Sequence, residues 1–131
     1  HGSVRAEQGR IAAPIARDLV RRRRMTARRR SGREAVTEYR VLRRFAGFTL
    51  LEVTIHTGRT HQIRVHLSTM GHPVAGDTLY GAPGGVLDRN FLHAARIAFR
   101  HPRTGQPMEI PAPLPAELRA FLERITPAAA P

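Results

Sequence analysis

The strongest constraint on the fold is a run of alternation near the middle of the chain. From Ala35 onward, Thr37, Tyr39 and Val41 alternate with Glu38, Arg40 and Leu42. After an Ala46-Gly47 break, Phe48 to His56 resumes the pattern, with Leu51, Val53 and Ile55 on one face and Glu52 and Thr54 on the other. A period of two belongs to a strand. Two such runs joined by a short glycine-containing turn predict an antiparallel hairpin.

The period changes after Thr57-Gly58. Thr60 takes the N-cap position of a helix over His61–Met70, and Gly71 stops it. Ile63, Leu67 and Met70 recur at i, i+4 and i+7, which predicts the buried stripe. His61, Arg64 and Ser68 then share a different face. Residues 72–85 read as an ordered loop, Phe91 to Phe99 as a third strand and Met108-Glu109-Ile110 as a short one. Pro115 opens a closing helix with Leu118, Phe121, Leu122 and Ile125 at core spacing. Upstream, Gly9–Asp18 reads as an extended segment. His1-Gly2-Ser3 reads as the remnant of an expression tag, outside the fold, and residues 127–131 as a disordered Pro/Ala tail. The class expected is α+β, a mainly antiparallel, twisted mixed sheet flanked by helices on one face.

The 131 residues suit one domain or most of one. A hydrophobic fraction of 41% excludes compositional disorder. There is no apolar run of bilayer length and no signal-peptide pattern, so no membrane partner is expected. With no cysteine, disulfides and thiolate chemistry are excluded, and a cytoplasmic setting is expected. The formal charge is +12, unevenly spread. Residues 1–44 hold 14 Arg against four acids, a balance of +10, and residues 45–131 hold 8 Arg against six, a balance of +2. Arg21, Arg22, Arg23, Arg24, Arg28, Arg29 and Arg30 therefore form a local cluster, suited to gripping a nucleic-acid backbone. The alternative is a solvated arginine loop.

The stretch Thr57-Gly58-Arg59-Thr60-His61-Gln62-Ile63-Arg64-Val65-His66 carries the most chemistry. A strand feeds a glycine turn, and a helix leaves it with Arg and His in its opening turns. Such a corner favours an anion. Two readings of Arg64 stand open: a side chain aimed into a cleft to pair with an acid, or a surface Arg near a helix cap. No metal site is expected, because His61 and His66 lie five apart, on different helix faces, and His93 and His101 have no local carboxylate partner. Gly81–Gly85 lacks the residues of a phosphate loop. Asp77, in a Gly-Asp turn, is expected to cap its own backbone. His72-Pro73 and His101-Pro102 read as loop anchors.

With these residues laid out, the chain resembles the RluA-like family of pseudouridine synthases. The resemblance runs through Leu50–Val53 and Thr57–His66 to Gly71-His72-Pro73, Gly76-Asp77 and Tyr80-Gly81. It continues in Leu92-His93-Ala94, Phe99, His101-Pro102, Thr104-Gly105 and Ala112–Pro115. Upstream, Gly9-Arg10-Ile11, Pro14-Ile15, Arg17, Met25, Ala35, Thr37 and Tyr39 also match. The resemblance implies isomerisation of uridine to pseudouridine in ribosomal or transfer RNA, with no cofactor. It implies an essential Asp, usually within Arg-Leu-Asp, a base-packing Tyr and hydrophobic residue, and a basic partner for the Asp. By position Arg64 is that partner, Arg59, His61 and Gln62 shape the same pocket, and Leu92 is the hydrophobic wall.

No Arg-Leu-Asp occurs in the chain. The family's Asp and base-stacking Tyr precede the segment that Gly9–Arg17 resembles, and Tyr39 and Tyr80 match other positions. Residues 4–126 are thus expected to be the C-terminal part of a catalytic domain. That part would lack its N-terminal partner, be inactive alone, and be prone to self-association through an exposed sheet. The alternatives are a non-catalytic RNA-binding module and, more weakly, a basic protein-interaction domain. Steep salt dependence separates RNA binding from a packed protein interface.

Overall fold

The computed structural model describes residues 1–129. Its centre is the hairpin: β4 (Val36–Phe45) and β5 (Phe48–Ile55) pair antiparallel around Ala46-Gly47, with Gly47 at φ 80°. The register shifts between Val41 and Arg43, which leaves Leu42 in a bulge and exposed. β1 (Gln8–Ala12) joins the other edge of β4, giving the order β1-β4-β5. Cross-strand partners share a face, so Ile11, Thr37, Tyr39, Val41, Leu51, Val53 and Ile55 stand together. The opposite face is laced by Arg40–Glu52 at 3.1 Å and His56–Glu38 at 3.1 Å.

The antiparallel α+β architecture is as expected, but the strands are divided among three sheets in the described residues. β2 (Ala16–Arg17) pairs with β3 (Met25–Thr26), and β6 (Arg96–Arg100) pairs with β7 (Pro107–Pro111). The third strand is thus shorter than the 91–99 expected. Phe91 N–H is spent on the Ala75 carbonyl at 2.8 Å, and the chain reaches ladder geometry only at Arg96.

Two helices complete the fold, α1 (Gln62–Thr69) and α2 (Ala116–Arg124). In α2, entered from Pro115, Leu118 and Phe121 are buried as their spacing predicts. Burial of such side chains stabilises by about 2 kcal/mol each. Phe121 meets Phe48 edge-on, with centroids 5.3 Å apart, and Phe91 at 5.8 Å. A second cluster of Ile15, Ala35, Val65 and Tyr80 lies under α1, with Met25 and Ala27 against it.

Both chain ends depart from expectation. His1 packs against Phe48 with tilted rings 4.8 Å apart, its amine donates to the Pro73 carbonyl, and Gly2 donates to the Gly47 carbonyl and accepts from the Thr49 hydroxyl. His1 and Gly2 therefore belong to the packed structure, since an aromatic contact and these hydrogen bonds offset the cost of ordering them. At the other end, Pro127 bridges Phe45 and Ala128 N–H donates to the Arg44 carbonyl, which fixes the start of the expected tail along β4. Residues 130 and 131 of that tail lie outside the described residues.

Candidate active site

The helix α1 begins one residue later than expected. His61, not Thr60, is its N-cap, in the left-handed region at φ 54°, and no side chain caps it. Gln62 secures the helix entry instead. Its Oε1 accepts the Arg59 N–H at 3.1 Å and the Thr57 hydroxyl at 2.7 Å. The buried stripe is also rotated from the one expected. Gln62, Val65, His66 and Leu67 are buried, whereas Ile63 and Met70 are half-buried. Hydrogen bonds to β4 offset the desolvation of the two polar members. Gln62 Nε2 donates to the Val36 carbonyl at 2.9 Å and to the Thr37 hydroxyl at 3.0 Å. Thr37 Oγ1 bonds His66 Nδ1 at 2.7 Å, and His66 Nε2 bonds the Ala13 carbonyl at 2.9 Å. Because a carbonyl only accepts, Nε2 carries a proton and donates it there, and in the neutral ring Nδ1 accepts from Thr37.

The face assigned to His61, Arg64 and Ser68 turns to the Gly76–Gly81 segment, and all three side chains meet it. Arg64 donates to Asp77 from Nε at 2.7 Å and from Nη2 at 2.9 Å, a bidentate pair whose carboxylate is 1% exposed. That settles the two readings of Arg64: it pairs with an acid. It also corrects the role expected of Asp77, which makes no capping bond to its own turn. A guanidinium fork satisfies both carboxylate oxygens, which a lone turn amide cannot do. The bond to Asp77 raises the Arg64 pKa above its ordinary value, outweighing burial. Gly76, at φ 84°, lies against the Arg89 carbonyl so closely that a Cβ would collide with it.

Tyr80 is the hub of the corner, buried to 2% exposure at the end of a 3-10 turn (Thr78–Tyr80). Its hydroxyl accepts the Met25 N–H at 2.9 Å and bonds His61 Nδ1 at 2.7 Å. Ser68 donates to its carbonyl at 2.7 Å. The guanidinium carbons of Arg24 and Arg64 lie 4.9 and 5.0 Å from its ring centroid, within cation–π range. Burial, then the Arg64 charge, lowers the His61 pKa from its ordinary value, with Asp77 opposing.

The other site residues divide. Gln62 is turned into the core with its amide fully bonded, as a strut of the fold. Arg59 Nε donates to the Glu34 carbonyl at 2.8 Å, tying the helix entry to the chain before β4. Leu92 is half-buried beside the Phe91–Ala75 bridge that leads to Asp77. In the cluster, Arg21, Arg22, Arg23, Arg28 and Arg30 are exposed and Arg24 and Arg29 half-buried. Asp77 as partner and Tyr80 as hub were not identified from sequence; the Gly-Asp and Tyr-Gly pairs marked only the turns that hold them. His72 and His101 anchor loops as expected, His72 on the His1 carbonyl and His101 on the amides of Arg103 and Thr104.

The chain is similar to known proteins in both sequence and fold. The family model described as RNA pseudouridylate synthase matches residues 3–69, from before β1 to the end of α1. The chain is 47% identical over 127 residues to an uncharacterised RNA pseudouridine synthase, YlyB, of Bacillus subtilis, covering 95% of this chain and 41% of that protein. It is 44% identical over 128 residues to the ribosomal large subunit pseudouridine synthase D of Nitrosomonas europaea, covering 91% of this chain and 37% of that one. Among solved structures, human RNA pseudouridylate synthase domain containing 1 superposes with a TM-score of 0.71 at 30% identity, over 97% of this chain and 56% of that one. The chain thus spans about two fifths of the length of these curated relatives.

Proposed function

The chain belongs to the RNA pseudouridylate synthase family, and we propose that the protein it forms part of isomerises uridine to pseudouridine in RNA without a cofactor. The observation that carries this reading is the Arg64 fork. Its Nε and Nη2 are engaged by Asp77, and its Nη1 makes no bond among the described residues. A guanidinium so held presents its other edge to a second carboxylate, in an orientation that Asp77 and the Tyr80 ring fix in advance.

The chemistry says what that second carboxylate must do. The bond between C1′ and N1 of uridine breaks, the base turns, and a bond from C1′ to C5 replaces it, with the C5 proton released and a proton taken up at N1. Such a rearrangement needs a nucleophile or base, and Arg supplies neither at neutral pH. We assign that role to an Asp of the protein outside these 131 residues, which Arg64 orients. His61 and Leu92 border the base. Arg59 and Gln62 act on the pocket only through the helix entry they brace.

The Arg21–Arg24 and Arg28–Arg30 cluster supplies backbone contacts to the RNA, which a balance of +10 over residues 1–44 favours. Ribosomal RNA is the preferred substrate, as in the name of the Nitrosomonas relative, with transfer RNA second. A chain without cysteine suits the cytoplasm, where such RNA is modified. Alone, this part self-associates, because β6 and β7 expose Ile97, Phe99 and Ile110 on one face.

Tritium release from RNA labelled at uracil C5 tests the reading. The full-length protein is expected to release tritium from ribosomal transcripts, and the 131-residue chain to release none. Turnover by the isolated chain, or none by the full-length protein on any cellular RNA, would overturn it.

A further inference from the structure

The loop between β2 and β3 holds two aliphatic side chains in water. Leu19 is 70% exposed and Val20 90%, yet the loop that carries them is closed by its own bonds. Asp18 N–H donates to the Arg24 carbonyl at 3.0 Å, and Arg24 N–H to the Arg21 carbonyl at 2.8 Å. One Asp18 carboxylate oxygen accepts the N–H groups of both Val20, at 2.9 Å, and Arg21, at 3.0 Å. These amides hold the Asp18 carboxyl below its ordinary pKa, with the charges of Arg24 and Arg21 adding to them. Arg17 braces the far side by donating to the Arg22 carbonyl at 3.1 Å. The result is a preshaped knuckle with an apolar tip.

Its surroundings select the occupant. Arg21, Arg22 and Arg23 follow the tip directly and are exposed, so whatever receives Leu19 and Val20 is polyanionic. An open hollow of about 320 Å³ lies among Arg21–Arg24, Thr78 and Leu79. The buried Arg24 Nε has no partner among the described residues. Arg24 also stacks on Tyr80, whose ring is shared with Arg64, so the knuckle is joined to the site by one side chain.

We propose that Asp18–Arg24 is an RNA-opening wedge: Leu19 and Val20 enter the base stack beside the target uridine, while Arg21–Arg23 neutralise the adjoining phosphates. Apolar side chains driven between base steps unstack them, and a base must leave its stack before an enzyme can act on it. A nucleotide displaced in this way fits the hollow, where arginine planes offer stacking surfaces. The inference deepens the function proposed above and rests on it.

The test uses the full-length protein and two RNAs. One is a paired stem with 2-aminopurine beside the target uridine, and the other is the same RNA with the uridine left unpaired. Wild type is expected to raise the fluorescence of the paired stem. Leu19→Ser with Val20→Ser is expected to abolish that rise and weaken binding to the paired stem about 10-fold, against about 2-fold or less on the opened RNA, with its salt slope intact. Arg21→Ala, Arg22→Ala and Arg23→Ala together are expected to lower the salt slope by about two to three, on both RNAs alike. The wedge is overturned if the serine variant keeps the fluorescence rise and the wild-type preference between the two RNAs. That would also be the result if the tip served a protein or a lipid surface. Fluorescence and affinity as expected, with no isomerisation by wild type, would sustain the wedge and sink the catalytic reading alone.

Discussion

Asp77 sits in a Gly-Asp turn, where local preference favours a backbone cap, yet its carboxylate is taken by Arg64, 13 residues away. Nothing in the turn itself signals this, because the pair exists only once α1 and the 3-10 turn have come together. The helical period, a local property, does place Arg64 on the face it occupies. Removing one member of a nearly buried pair strands the other charge and costs about 3 kcal/mol. Asp77→Asn should lower the urea midpoint of the full-length protein accordingly. Its turnover should fall about 100-fold, with RNA affinity kept within a few-fold, since the variant loses the aim of Arg64 and not its charge. His61 gives a pH dependence. Its folded pKa lies below the ordinary value of 6.5, so the unfolded chain binds a proton that the folded chain refuses. Stability is therefore complete above about pH 6.5 and declines as pH falls from there through the folded value. Thermal melts between about pH 8 and pH 5 should show that decline, and His61→Gln should flatten part of it. His72, lowered chiefly by burial, accounts for a further part. A decline that His61→Gln leaves unchanged would remove His61 from the explanation.

At the scale of elements, the β4–β5 hairpin and α2 were legible because their patterns are complete within themselves. Alternation and the Ala46-Gly47 turn define the one, and a proline entry with apolar i, i+3 and i+4 spacing defines the other. The setting of α1 was not legible. A stripe of Ile63, Leu67 and Met70 is the obvious apolar face, but Thr37 on β4 offers a hydroxyl that Gln62 and His66 both need, and the helix turns to meet it. The exchange makes Thr37 a test of the element. Thr37→Val keeps the shape and removes one group that both accepts from Gln62 and donates to His66. The loss is expected to be about 2 kcal/mol, read as a lower urea midpoint at unchanged m-value. A loss within about 0.5 kcal/mol would mean that packing, not this hydroxyl, sets the helix.

Across the whole molecule, charge asymmetry was plain in the sequence and the division into three sheets was not, since strand partners are chosen by tertiary contact. The β6–β7 ladder exposes Ile97, Phe99 and Ile110, and no short-range pattern says what should cover them. In sedimentation at about 100 μM the isolated chain should run as a dimer or larger, and Ile97→Glu with Ile110→Glu should return it to monomer. A monomeric wild-type chain would show that this face is tolerated in water.

The row that joins β4 to α1 has one further property. It runs from the Val36 N–H through Thr57, the two ends of Gln62, Thr37 and His66 to the Ala13 carbonyl. Its first member can only give a hydrogen and its last can only take one. As in ice, each link then has a donor and an acceptor, and with the imidazole neutral the two backbone ends leave the row a single order of donation. The row ties the helix to the start of β4 and to the Ala13 carbonyl at several points along one face. Arg64, on the other side, is thereby aimed by groups that never touch it.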